Sequence, residues 1–119
     1  MIARIELKDG TVLKGNRYIN EMLRVVQIVY GDYGEVCAVV TSGNDSKHGP
    51  NSYHAQDRAI DVRFWGIKEE DRMQVAINLR KWLPAFYDVV TEPDHYHLEA
   101  DAKKESAYNE HLVAKEHKA

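Results

Sequence analysis

The sequence predicts an α+β fold, a small antiparallel sheet with helices packed on it. Two observations favour this class. Several short segments alternate apolar and polar residues with the period of a strand, and two longer segments repeat apolar residues every three or four positions, as helices do. The chain has 119 residues, of which 44% are hydrophobic and 29% charged. This size and composition predict one domain over residues 1–119.

The N-terminal segment, residues 2–14, alternates with period two around Asp9-Gly10, a pair typical of hairpin turns. It predicts a short hairpin. Residues 35–42 predict a buried strand, because they contain the continuous apolar run 36–40. The following residues, 42–52, collect glycine, asparagine, serine and proline, and they predict a long loop of the kind that often carries function.

Two segments have helical periodicity. The first begins near Asn20, a good capping residue, and Gly31 is suited to end it. Its apolar positions are Met22, Val25, Val26, Val29 and Tyr30. The second covers residues 68–83, with acids in its first turn and bases in its last, and it stops before Pro84. Its predicted buried face consists of Met73, Ala76, Ile77 and Leu83.

The C-terminal half predicts three more strands. Residues 59–65 alternate so that Asp61 lies on the face opposite the apolar side chains. Residues 87–92 and 95–100 form two short strands joined by a proline-aspartate turn. The tail from about 102–119 has a helix-forming composition without a deep apolar face, which predicts a helical or loosely ordered end.

Charge and hydropathy narrow the choice of partners. The net charge of -3 gives no electrostatic reason to expect nucleic acid or an anionic membrane as a partner. No segment approaches the roughly 20 apolar residues of a membrane span, and the N-terminus has no export signal. We therefore expect synthesis in the cytoplasm. The oligomeric state is not predicted by these features.

Histidines and acids gather in the predicted strands. In residues 95–100, His95, His97 and Glu99 project to one face, and Tyr96 and Leu98 project to the other. A catalytic zinc ion takes three protein ligands from imidazole nitrogen and carboxylate oxygen and leaves a position for water. Two imidazoles on one face could therefore supply part of the ligand set of such a zinc site.

The remaining parts of a zinc site occur earlier and just before this strand. His54 and Asp61, together with one of the two strand histidines, supply three ligands. Glu92 or Asp94 supplies a carboxylate that could take a proton from the attacking water.

Two motifs carry a family resemblance. The run Ser52-x-His54-x-x-Asp57-x-Ala59-x-Asp61 resembles the S-x-H-x-x-G-x-A-x-D signature of the zinc D-alanyl-D-alanine peptidases of the M15 type and of the related Hedgehog domain. Four of the five named positions match. The exception is the glycine, replaced here by Asp57, a residue that tolerates positive φ better than most.

The second motif is Glu92-x-x-His95-x-His97, which is similar to the acid and H-x-H pair of the same family. Order and spacing agree, and the resemblance is closest to short phage-type members. It implies a Hedgehog/DD-peptidase-like fold. It also implies that His54, Asp61 and His97 bind Zn²⁺ and that Glu92 is the general base. His95 would be a second catalytic residue, which lies beside the metal and can hydrogen-bond the water or the developing oxyanion.

The resemblance implies supporting roles for four further residues. His48 matches a histidine at the rim of some Hedgehog-like sites, and Ser52 would form a turn or a hydrogen bond behind the ligands. Arg63 and Arg58 are candidates for the arginine that stabilises the oxyanion in some members, and Arg63 shares a strand face with Asp61.

The implied activity is hydrolysis of peptidoglycan stem peptides at a D-Ala-D-Ala or L-Ala-D-Glu type bond. The expected protein is an endolysin-like zinc metallopeptidase that reaches the cell wall when a phage lysis system releases it. The alternatives are a zinc-binding structural or binding module without turnover, and a cytoplasmic amidase or dipeptidase that acts on small peptides.

Overall fold

A computed structural model describes residues 1–44 and 52–117 of the chain and confirms the α+β class. The elements, in chain order, are β1 (Arg4–Leu7), α1 (Arg17–Asp32), β2 (Cys37–Ser42), β3 (Ala59–Arg63), α2 (Arg72–Trp82), β4 (Tyr87–Thr91), β5 (His95–Ala100) and α3 (Ala102–His117). A short 3₁₀ turn, Glu69–Asp71, leads into α2. None of the described helices is long and apolar enough to cross a membrane.

The five strands form one sheet in the order β1-β2-β3-β5-β4. Three of the four strand pairs are antiparallel, but β1 and β2 run parallel, so the sheet is mixed and not purely antiparallel as predicted. The prediction of a hairpin over residues 2–14 is also wrong, because β1 pairs with β2 and not with the residues that follow the Asp9-Gly10 turn. Parallel neighbouring strands cannot be joined by a tight turn and need a crossover connection. Helix α1 forms the crossover between β1 and β2.

The predicted turn at Asp9-Gly10 is present. Gly10 has a φ of 87°, and Thr11 N donates a hydrogen bond to Lys8 O. The residues after it do not form a strand. The Val12 carbonyl instead accepts a hydrogen bond from Asn44 N at 2.6 Å. The segment is therefore tied to the end of β2.

Helix α1 has the predicted buried face and a different start. Its cap is Asn16, whose Oδ1 accepts a hydrogen bond from Ile19 N at 2.9 Å, and not Asn20. Gly31 lies inside the helix, where a Cβ would sit 1.9 Å from Met1 O. It permits the N-terminal segment to pass closely, and Gly34, with φ of 82°, provides the left-handed residue after the helix.

Helix α2 ends before Pro84 as predicted, but its buried face is partly wrong. Met73 and Ile77 are exposed, with relative exposures of 76% and 44%. The buried stripe is Val75, Ala76, Leu79 and Leu83. The predicted and the observed buried residues both have helical spacing. The buried set is the one on the side of α2 that faces the sheet.

The two faces of the central strands have different environments. Side chains on one face of β3 and β5 join α1 and α2 in the hydrophobic core. Of the residues that alternate with them, Ala59 is buried, but Asp61, Arg63, His95, His97 and Glu99 are only half-buried. This confirms the predicted alternation in both strands and leaves a polar sheet face for the candidate site.

Candidate metal centre

The sheet register brings the two central motifs together. In the antiparallel pair of β3 and β5, Asp61 lies opposite His97 and Arg63 lies opposite His95. Directly opposite residues share a sheet face, with Cβ atoms roughly 5 Å apart. Residues 36 positions apart in the chain therefore become neighbours.

A compact turn before β3 carries His54 to the same place. Ser52 Oγ accepts a hydrogen bond from Ala55 N at 3.1 Å, and Arg58 N donates to Tyr53 O at 2.8 Å. The turn leaves His54 only 6% exposed. Ser52 thus has the turn-forming contact that the motif implies, and this contact gives no sign of a nucleophilic serine.

Asp57 adopts a left-handed backbone conformation, which glycine tolerates most easily. Its φ is 56°, the single positive value among the non-glycine residues that the structure describes. Its Oδ1 accepts from Asn44 Nδ2 at 2.9 Å, and its carbonyl accepts from Asn16 Nδ2 at 2.8 Å. The extra carboxylate is therefore bound to Asn44 and does not compete as a metal ligand.

Three ligand atoms converge on one point of the polar face. His97 Nδ1 lies 2.9 Å from Asp61 Oδ1, His54 Nε2 lies 3.4 Å from the same oxygen, and the two ring nitrogens are 3.2 Å apart. Two imidazoles and a carboxylate form a group that could hold a metal ion. We call His54, Asp61 and His97 the ligand group.

The spacing of these atoms fits a metal ion. Donors arranged tetrahedrally at about 2.0–2.1 Å from an ion are separated from one another by about 3.3–3.4 Å. The observed edges of 2.9, 3.2 and 3.4 Å are close to this length without rearrangement. Imidazole and carboxylate are also the ligands that divalent transition metals accept.

A second carboxylate orients His97. Glu99 Oε1 lies 2.6 Å from His97 Nε2, so the two ring nitrogens of His97 face Asp61 and Glu99. Metal-binding histidines commonly donate their other N–H to a carboxylate in this way. The alternation of residues in β5 predicts the face on which Glu99 lies, but it does not predict this contact with His97. The pattern that could have predicted this contact is the spacing of two residues between His97 and Glu99 on β5, which places both side chains on one face.

The charges of the ligand group are strongly coupled. The hydrogen bond to Asp61 raises the pKa of His97, burial opposes it, and the bond to Glu99 adds to the rise, so that the pKa is about 8. Burial by itself would raise the pKa of Asp61. Hydrogen bonds from His54 and His97 outweigh that effect and lower the pKa well below its usual range. Without a metal, the group is therefore held together by a carboxylate and a protonated imidazole.

His95 lies at the edge of the ligand group. Its Nε2 is 3.8 Å from Asp61 Oδ1, and its Nδ1 is 2.6 Å from Asp94 Oδ1. The hydrogen bond to His95 lowers the pKa of Asp94, which keeps the carboxylate ionised. Asp94 therefore fixes the ring orientation of His95.

Glu92 has a less defined place. It is exposed just beyond β4, and its backbone N donates to His95 O at 2.9 Å, which sets it opposite His95 in the register. Within the described part of the chain, its side chain makes no hydrogen bond or ion pair. The structure brings Asp94, the alternative base, into direct contact with the site and leaves Glu92 at its rim.

The two candidate arginines differ. Arg58 donates to Ala100 O and to Glu105, so it ties β5 to α3 and is not available to an oxyanion. Arg63 remains on the ligand-group face, with its guanidinium 3.7 Å from the centre of the Trp65 ring. His48 lies outside the described residues.

A second acidic group, formed by Asp88, Glu99 and Asp101, has structural explanations. Lys104 Nζ pairs with Asp88, and Asp101 Oδ1 accepts from the backbone N–H groups of Lys103 and Lys104 at the start of α3. We therefore place the candidate site at the ligand group alone.

Comparison of the chain with models of known protein families and with curated proteins found no match. The candidate site accordingly rests on the geometry of the described residues.

Proposed function

We propose that the protein binds one zinc ion at His54, Asp61 and His97 and acts as a zinc-dependent metallopeptidase. The observation that carries this proposal is the triangle of ligand atoms, with edges of 2.9, 3.2 and 3.4 Å. Zinc is favoured because two imidazoles and one carboxylate are the ligand set of many catalytic zinc sites. Such sites leave a position open for a water molecule or the substrate.

A bound zinc ion would supply Lewis acidity toward a peptide carbonyl and lower the pKa of a nearby water. The chain's own residues would provide the proton transfers. Glu92, opposite His95 in the register, would accept a proton from the attacking water and deliver it to the leaving amine. Asp94 would orient His95, whose Nε2 faces the ligand group.

The proposed substrates are peptidoglycan stem peptides. This class follows from the resemblance of the two motifs to the zinc D-alanyl-D-alanine peptidases, which implies cleavage at a D-Ala-D-Ala or L-Ala-D-Glu type bond. An endolysin-like role, in which a phage lysis system brings the protein to the cell wall, belongs to the same proposal.

A zinc-binding module without turnover is the second candidate function. It is favoured by the exposure of Glu92 and by the lack of a described contact between its side chain and the ligand group. A binding module needs the three ligands but no carboxylate held ready to move a proton.

Digestion of purified sacculi, with the products identified by mass spectrometry, distinguishes the two candidates. The parent should release stem-peptide fragments, and Glu92→Gln should keep its zinc but lose about 10²- to 10⁴-fold in rate. Asp94→Asn is the matched variant. If Glu92→Gln retains parental activity and Asp94→Asn abolishes it, the base is Asp94. If the zinc-loaded parent releases nothing, the binding module is the better assignment.

A further inference from the structure

Strand β4 is the last strand of the described sheet and pairs with β5 alone. In an antiparallel pair, successive residues of a strand direct their backbone N–H and C=O groups alternately toward the neighbouring strand and away from it. Asp101 N donates to Phe86 O, and Glu92 N donates to His95 O. The backbone groups of the even-numbered residues in β4 therefore face β5, and those of the odd-numbered residues face away from the sheet.

Contacts of the odd-numbered residues agree with this orientation. Arg80 Nη2 on α2 donates to Val89 O at 2.7 Å, and Tyr87 N donates to Pro84 O at 3.0 Å. The N–H of Val89 and both backbone groups of Thr91 also face outward, and no hydrogen bond to them occurs within residues 1–44 and 52–117. An open strand edge of this kind can pair with a further strand.

Apolar side chains lie on both sides of this edge. Val90 projects from the polar face of the sheet and is 44% exposed. On the core side, α2 exposes Met73 and Ile77, with relative exposures of 76% and 44%. These two residues share a side of α2 with Arg80, because spacings of three and four residues follow the helical repeat. Since Arg80 reaches Val89, this side of α2 runs along the open edge of β4.

The charges of α2 are separated along its axis. The 3₁₀ turn Glu69–Asp71, which leads into the helix, consists of three acids, and the last turn contains Arg80 and Lys81. The exposed apolar pair Met73 and Ile77 lies between these ends. Two such helices that lie side by side and antiparallel place the acidic end of each against the basic end of the other. This side of α2 is therefore complementary to itself about a two-fold axis.

The open strand edge is compatible with the same symmetry. Two copies of β4 related by a two-fold axis perpendicular to the sheet run antiparallel and can exchange backbone hydrogen bonds. The same axis keeps both α2 helices on one side of the joined sheet and makes them antiparallel as well. Backbone pairing, apolar contact and charge complementarity are thus satisfied by one operation, which favours a second copy of this chain as the partner.

We propose that β4 and the side of α2 that carries Met73 and Ile77 form a dimer interface with a second copy of the chain. The five strands of each copy then join at β4 into one sheet. The proposal is independent of the proposed function, because it uses none of the metal ligands. In the dimer the two ligand groups lie on the same side of the joined sheet, four strand spacings or roughly 19 Å apart.

Sedimentation equilibrium of the full chain tests the interface, once in EDTA and once with one equivalent of zinc. We expect a dimer in both. Ile77→Lys should raise the dissociation constant of the dimer about 10- to 100-fold, because each dimer loses two partly buried isoleucines. Val36→Lys is the matched control, since Val36 is 60% exposed and precedes β2, toward the other edge of the sheet. It should dimerise like the parent.

Two further changes test the strand pairing and the orientation of the helices, with folding checked by circular dichroism. Thr91→Pro removes an N–H that faces away from β5, a position at which an edge strand tolerates proline. It should raise the dissociation constant about tenfold, because the dimer loses a pair of backbone hydrogen bonds. Glu70→Lys and Lys81→Glu should each raise it about 3- to 10-fold, and the double variant should restore it.

A parent that remains a monomer at the concentrations used for NMR overturns the proposal and leaves this edge to an extended segment of another protein. A dimer that forms only with zinc also overturns it, because the metal then bridges the copies. A dimer that persists unchanged in both Ile77→Lys and Thr91→Pro uses a different surface. If the double charge variant dimerises no better than the single ones, the antiparallel arrangement of the helices is wrong.

Discussion

The two faces of strands β3 and β5 are built from alternating residues of the same short segments, yet they differ in almost every physical respect. On the core face, Ile60, Val62 and Leu98 are all 0% exposed. On the other face, the side chains of Asp61 and His97 are 15% and 19% exposed. One pair of strands therefore supplies buried side chains to the core and titratable side chains to the candidate site.

The solvent exposure of the polar face is intermediate between that of the core and that of the open surface. The face is dry enough for a carboxylate and an imidazole to interact strongly, because water screens partly buried charges less than exposed ones. It is open enough for a cavity to reach His95. Substitutions on the two faces should therefore affect different quantities.

Leu98→Ala should have the largest effect on stability. Removing a fully buried leucine costs the lost burial and leaves a cavity, so we expect the free energy of unfolding to fall by about 2–5 kcal/mol. Urea denaturation measures this. The control is Val90→Ala on β4, where Val90 is 44% exposed and should lose far less. Equal losses would mean that the faces are wrongly assigned.

Glu99→Gln should weaken metal binding and leave stability nearly intact. The carboxylate that orients a metal-binding histidine typically contributes about 10- to 100-fold to metal affinity. Competition with a chelator of known affinity measures this for the parent and the variant. Glu110→Gln, on the exposed surface of α3, is the control and should bind zinc like the parent. Parental affinity in Glu99→Gln would remove Glu99 from the site.

Asp57→Ala should cost about 1–2 kcal/mol of stability, because alanine pays the steric penalty of a left-handed backbone. Asp57→Gly should cost less, since glycine adopts positive φ freely. Thermal unfolding of both variants checks this order. A more stable alanine variant would show that the backbone there is not left-handed.

The stability of the metal-free chain should depend weakly on pH through His97. Its pKa is raised to about 8 in the folded chain, so its contribution is complete below its unfolded value of about 6.5. The contribution is lost as the pH rises through the folded pKa. Urea midpoints in EDTA should therefore fall between about pH 6 and pH 8.5. His97→Gln should flatten this decline, and an undiminished decline would assign it to another group.

The strand period explains why the polar face could be predicted. Apolar and polar residues alternate from Ile60 to Arg63 in β3 and along β5 as far as Glu99, so Asp61, His95 and His97 had to share a face once the strands paired. The helix α1 was predictable for a similar reason, because its apolar stripe is continuous. Local patterns of this kind need no knowledge of the rest of the chain.

Features set by distant contacts were not predictable. The N-terminal segment has the local pattern of a hairpin, but β1 pairs in parallel with β2, which follows α1 in the chain. Helix α2 has two apolar stripes of similar regularity, and only packing against the sheet selects one. The turn that carries His54 also has a distant contact, because Asn16 Nδ2 donates a hydrogen bond to the Asp57 carbonyl, 41 residues away in the chain.

We propose that His54, Asp61 and His97 hold one metal ion and that His95 is not a ligand. The most direct test is the zinc content of the purified parent, His97→Ala and His95→Ala, each checked for folding by circular dichroism. We expect about one zinc per chain in the parent and in His95→Ala, and little in His97→Ala, because two protein ligands make a poor site. Full zinc in His97→Ala, or none in the parent, would contradict it.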